Sequence, residues 1–68
     1  MYKVLWLEQI PGYRGSGSNE HPQRYLANAR QSAKNIATRY GTSDVRVVDD
    51  RGTVKFRYDQ QGNETREK

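Results

Sequence analysis

Cysteine is absent from this 68-residue chain, and histidine, tryptophan and phenylalanine occur once each. Without cysteine the chain can form neither a disulfide framework nor a thiolate metal site, and this composition fits the cytoplasm. The one histidine, His21, has no second histidine or cysteine with which to bind a metal or act in catalysis. We therefore expect no metal, no cofactor, no small-molecule substrate and no enzymatic activity.

Long hydrophobic runs are also missing. The longest apolar stretch near the start, Val4 to Leu7, is broken at once by Glu8, and it is too short for a signal-peptide core or a membrane span. We expect a soluble, cytoplasmic protein that does not contact membranes. A chain of this length forms one domain, and a domain this small is only marginally stable.

Acidic residues are missing from one segment, residues 23–40, which carries Arg24, Arg30, Lys34 and Arg39. The whole chain has 12 basic and 8 acidic residues. Outside residues 23–40 there are therefore 8 basic and 8 acidic residues, whose charges cancel. The net charge of +4 therefore comes from this segment. Such one-sided charge favours polyanionic partners, although a solvated helix face would give the same pattern.

The pattern of apolar residues predicts four elements. Residues 2–10 read as a strand, residues 23–40 as a helix, and residues 44–49 and 53–58 as a hairpin around the turn Asp-Asp-Arg-Gly. The helix places its apolar residues at helical spacing, at Leu26, Ala29, Ala33, Ile36, Ala37 and Tyr40. This order, β-α-β-β, predicts an α+β fold with a three-stranded sheet and one helix packed on one face. The domain would span residues 1–59, with a flexible loop at 11–22 and a disordered tail at 60–68.

The alternation along the strands predicts two different sheet faces. The buried face would carry Val45, Val47, Val54, Phe56 and Tyr58. The other face would carry Arg46, Val48, Lys55 and Arg57, together with either Tyr2, Val4 and Trp6 or Lys3, Leu5 and Leu7. Basic and large apolar residues interleaved in this way can stack on bases and bind phosphate, or they can form a dimer interface.

The loop "PGYRGSGSNEHP" contains Gly12, Gly15 and Gly17 between a strand and a helix. Its spacing matches neither the P-loop pattern nor the dinucleotide-binding pattern, so we do not predict a nucleotide site. It is either a mobile crossover or a recognition loop. In the second case Tyr13 and Arg14 are the expected anchors, because these residue types are favoured at binding hot spots.

The segment "ANARQSAKNIA", followed by "SDVRVVDDRGTVKFRY", resembles small phage-encoded proteins of strand-helix-strand-strand order. These include certain type I anti-CRISPR inhibitors, whose helix is similar in its A-K-x-I-A pattern, here Ala33, Lys34, Ile36 and Ala37. The resemblance implies a non-enzymatic inhibitor that binds a CRISPR surveillance complex, often at surfaces that serve nucleic acid. It identifies no individual site residues.

Together these observations predict a small binding protein of phage or mobile-element type that engages nucleic acid or a host nucleoprotein complex. The predicted contact residues lie on the loop and the basic helix face: Tyr13, Arg14, Arg24, Arg30 and Lys34. The alternative is a structural or accessory domain that forms a homodimer through its open sheet face and has no role with nucleic acid.

Overall fold

The computed structural model describes residues 1–67, which form one antiparallel five-stranded sheet and a single helix. The elements along the chain are β1 (Tyr2–Gln9), β2 (Ser16–Gln23), α1 (Leu26–Ala37), β3 (Thr42–Val48), β4 (Val54–Tyr58) and β5 (Glu64–Arg66). In the sheet the strands lie in the order β2-β1-β3-β4-β5. The class is α+β, as predicted, but the predicted three-stranded β-α-β-β sheet is wrong.

One of the two additional strands, β2, occupies most of the segment that was predicted as a loop. Its eight residues pair with β1 without interruption, from Ser16 opposite Gln9 to Gln23 opposite Tyr2. Its side chains are mostly exposed, so backbone pairing to an apolar neighbour forms this strand rather than burial of its own residues. Pro22 is tolerated because β2 lies at the edge of the sheet.

The other additional strand, β5, lies in the predicted tail and follows a turn that repeats the turn before β4. In both turns an aspartate Oδ1 accepts backbone N–H bonds from the residues two and four positions later: Asp49 from Arg51 and Thr53, and Asp59 from Gln61 and Asn63. The fourth residue of each turn is glycine with positive φ, at +80° for Gly52 and +84° for Gly62. The second turn brings residues 64–66 back alongside β4.

The helix packs on one face of the sheet and is shorter than predicted. Four of its residues are buried, namely Ala29, Ala33, Ile36 and Ala37. They pack with Val4, Val45, Val47, Phe56 and Tyr58, while Tyr2, Trp6 and Leu26 lie partly buried around them. Val54, predicted in the core, is only partly buried. Tyr40, predicted in the helix stripe, is 99% exposed because α1 ends at Ala37.

The strand alternation therefore places Tyr2, Val4 and Trp6 towards the helix, and Lys3, Leu5 and Leu7 on the open face. Within residues 1–67, no helix combines the length and hydrophobicity needed to cross a bilayer.

Candidate functional site

Three connecting segments meet at one end of the sheet, which we call the loop end: residues 10–15, 38–41 and 59–63. The first two are joined directly, because the Gln9 N–H donates a 2.8 Å hydrogen bond to the Gly41 carbonyl. The third packs against the second and against the last turn of α1. A Cβ on Gly62 would lie 3.0 Å from Thr38 Cγ2 and 3.5 Å from Lys34 Cγ. The loop end is therefore a connected surface.

The segment between α1 and β3 is fixed by Thr42, which is 4% exposed. Its Oγ1 lies 2.8 Å from the Ile36 carbonyl oxygen and 2.9 Å from the Arg39 carbonyl oxygen. The hydroxyl is thus within hydrogen-bond distance of two carbonyl groups at the helix C-terminus. Gly41 then reverses the chain at φ +86°. This geometry holds the intervening residues, Arg39 and Tyr40, in the loop end.

A shallow depression of about 570 Å³ lies in the loop end. Its lining residues include two arginines, Arg14 and Arg39, and several neutral polar residues, including Ser16, Tyr40 and Gln60. Among the described residues, no carboxylate side chain lines it. Such a surface offers hydrogen-bond donors and positive charge, which suits an anion.

Arg39 also contacts a carboxylate outside this depression. Its Nη2 lies 3.3 Å from Glu8 Oε1, which also accepts a 3.3 Å hydrogen bond from Trp6 Nε1. This single contact leaves most of the donors of the Arg39 guanidinium free for another partner.

Two tyrosine side chains project from the loop end. Tyr13 is 72% exposed and Tyr40 is 99% exposed. Sequence reasoning identified Tyr13 but placed Tyr40 in the core. Glycine is common just past the end of a helix, but α1 ends at Ala37, several residues before Gly41.

The five predicted binding residues do not form one surface. Tyr13 and Arg14 lie in the loop end, and Lys34 lies beside it, since a Cβ on Gly62 would be 3.5 Å from Lys34 Cγ. Arg24 lies between β2 and α1, at the opposite end of the sheet. Arg30 lies on the side of α1 that faces β5.

Arg30 has a structural partner. Its Nε and Nη2 donate to the two carboxylate oxygens of Glu64 at 2.7 and 3.2 Å, and its Cζ lies 4.6 Å from the centre of the Phe56 ring. The hydrogen bonds to Glu64 raise the pKa of Arg30. The pair connects α1 to β5, so Arg30 is largely committed within the fold.

The open sheet face is electrically balanced. Every basic side chain that it carries has a carboxylate within 4 Å: Lys3 with Glu20, Arg46 with Asp44, Lys55 with Asp49, and Arg57 with Asp44 and Glu67. Leu5 and Leu7 lie among these pairs and are partly buried.

The net positive charge therefore lies elsewhere. Within residues 1–67, the basic side chains with no carboxylate inside 4 Å are those of Arg14, Arg24, Lys34, Arg51 and Arg66. Two of these, Arg14 and Lys34, lie in or beside the loop end. The loop end thus combines free positive charge with exposed aromatic rings.

Residues 1–67 bring together no group of three or more side chains of the types that bind metals. Comparisons with protein-family models, with curated proteins and with solved structures gave no match for this chain. The resemblance to anti-CRISPR inhibitors therefore stays a prediction from the sequence.

Proposed function

We propose that this protein is a non-enzymatic binding protein that contacts nucleic acid through its loop end, either free or as part of a nucleoprotein complex. One observation carries the proposal: two arginines, Arg14 and Arg39, line the depression, and its described lining residues include no aspartate or glutamate. In nucleic acids, the guanidinium group of arginine binds phosphate oxygens well.

The distribution of ion pairs supports the same surface. The basic side chains of the open sheet face are paired with neighbouring carboxylates. Within residues 1–67, Arg14 and Lys34 have no carboxylate within 4 Å. A phosphate contact releases counterions and needs positive charge that is not already paired. The anti-CRISPR resemblance implies the form of this proposal in which the nucleic acid belongs to a host complex.

The salt dependence of binding to a labelled oligonucleotide tests the proposal. We expect measurable affinity at about 50 mM salt, with the logarithm of the association constant falling linearly with the logarithm of salt concentration. Arg14→Gln and Lys34→Gln should each weaken binding and reduce the slope by about 0.7–0.9, the value for one lost phosphate contact.

Lys55→Gln is the matched control, since it removes the same charge from the open face, where Lys55 Nζ lies 3.7 Å from Asp49 Oδ2. It should leave the slope unchanged. If all three variants lose affinity equally, binding follows net charge and does not involve a loop-end site. If wild-type protein binds no oligonucleotide at about 50 mM salt, the function proposed here is incorrect.

A second candidate function, homodimerisation, is favoured by the open sheet face. Leu5 and Leu7 lie there among charges of both signs that are already paired. A surface with balanced charge is complementary to a second copy of itself, because opposite charges can face each other across a twofold axis. It suits a strongly charged partner less well.

Sedimentation over a concentration series tests this second candidate. The wild-type protein should shift from monomer to dimer as its concentration rises, and Leu5→Glu should remain monomeric. The exposed Tyr13→Glu variant, at the loop end, is the control and should dimerise as the wild type does. A monomer at every concentration would exclude this candidate.

A further inference from the structure

The side chain of Tyr40 contributes almost nothing to the packing of the domain. Its side chain is 99% exposed, so the ring has almost no packing partner in the described chain. The backbone on both sides of it is nevertheless fixed, through the Thr42 hydroxyl on one side of the turn and the hydrogen bond from Gln9 to Gly41 on the other. A large ring held on an anchored loop and left in water is a surface available for stacking.

The neighbours of Tyr40 indicate what would stack on it. Tyr40, Arg14 and Arg39 line the same depression. Tyr40 also lines a second, adjoining depression together with Glu8 and Pro11, so the turn that carries Tyr13 lies next to Tyr40 in the fold. Proteins that bind single-stranded nucleic acid combine these two features, an aromatic ring for a base and positive charge for the adjoining phosphates.

We infer that the loop end binds single-stranded nucleic acid, with one base stacked on Tyr40 and the adjoining phosphates on Arg14 and Arg39. This inference rests on the proposed function and makes it more specific. The bases of a duplex are stacked on one another. The phosphates of a duplex can therefore bind the arginines, but its bases cannot stack on the Tyr40 ring. Single strands should therefore bind more tightly than duplex of the same length, and only the single strand should depend on the Tyr40 ring.

Fluorescence anisotropy with a labelled deoxythymidine oligonucleotide of about 12 nucleotides, and with a duplex of the same length, tests the inference. Tyr40→Ala should lower the affinity for the single strand by about 5- to 150-fold and leave the affinity for the duplex unchanged. Tyr40→Phe keeps the ring and should bind as the wild type does. Tyr25→Ala is the control, because Tyr25 is also exposed (61%) but lies at the opposite end of the sheet.

Each other result has a defined meaning. If Tyr40→Ala binds the single strand as tightly as the wild type, or loses affinity for both forms equally, the stacking inference is overturned. The proposed function then survives only if binding still depends on salt and on Arg14. If neither oligonucleotide binds at about 50 mM salt, both the inference and the proposed function fall, and a protein partner becomes the better explanation of the loop end.

Discussion

The hydroxyl of Thr42 should contribute measurably to the free energy of unfolding. Thr42→Val keeps the size and β-branching of the side chain but removes the O–H that lies 2.8 Å from the Ile36 carbonyl oxygen and 2.9 Å from that of Arg39. The Ile36 carbonyl would still accept the Arg39 N–H at 3.0 Å, but the Arg39 carbonyl would lose its hydroxyl donor. An acceptor left without a donor destabilises by about 1–3 kcal/mol. The additional buried methyl of valine offsets this by about 0.8 kcal/mol, so we expect a net loss of about 0.5–2 kcal/mol.

This loss is large for a chain of 68 residues, whose total stability is about 3–10 kcal/mol. In a domain of this size each kcal/mol lowers Tm by about 4–8 °C, so Thr42→Val should melt about 2–16 °C below the wild type. Urea unfolding followed by circular dichroism gives the free energy directly. Thr42→Ser keeps the hydroxyl and is the control for lost methyl packing. If Thr42→Val proves as stable as the wild type while Thr42→Ser is destabilised, the methyl and not the hydroxyl anchors the helix end.

Three further predictions concern the core and the turns. Phe56→Ala should lose about 3–5 kcal/mol in urea unfolding, because Phe56 is 7% exposed within the core; a loss below about 1 kcal/mol would show that it is not packed there. Backbone hydrogen bonds, chiefly from Thr53 and Asn63, lower the pKa of Asp49 and Asp59. The two ionised carboxylates therefore stabilise the folded state fully above the unfolded pKa of about 4, and this stabilisation is lost as pH falls through the lower folded pKa. Replacing both aspartates by asparagine should flatten the dependence of Tm on pH in this range, and an unchanged dependence would contradict the assignment. Burial raises the pKa of Tyr58 to about 12, and its hydroxyl has no hydrogen-bond partner in the described chain. Stability should therefore fall as pH rises from about 10 to 12, and Tyr58→Phe should remove this fall without lowering Tm at neutral pH; a lower Tm would mean that the hydroxyl is paired.

The helix and the hairpin of β3 and β4 were predictable because their signals are local. Ala29, Ala33 and Ile36 recur at helical spacing, and the turn from Asp49 to Gly52 has the residue types that a tight turn requires. The same turn pattern recurs ten residues later, from Asp59 to Gly62, and would have indicated β5. It was missed because the residues that follow it carry no large apolar side chain.

The strand β2 and the loop end could not be predicted in the same way. Ser16–Gln23 has low strand propensity and becomes a strand because β1 offers it a full row of backbone hydrogen-bonding groups. The exposure of Tyr40 follows from the position at which α1 ends, which Thr42 helps to determine from outside the helix. The sequence alone predicts Arg30 as an unpaired surface charge. In the fold, β5 places Glu64 Oε1 2.7 Å from Arg30 Nε.

The sequence by itself determined the α+β class, the helix with its apolar stripe and basic charge, and the β3–β4 hairpin, because each depends on residues close together in the chain. Only the tertiary structure decided the number and order of strands, the pairing of the charges on the open face, and the meeting of Arg14, Arg39 and Tyr40 in the loop end. These features depend on contacts between residues that are distant in sequence, and no local pattern of apolar or charged residues records which distant partners will meet.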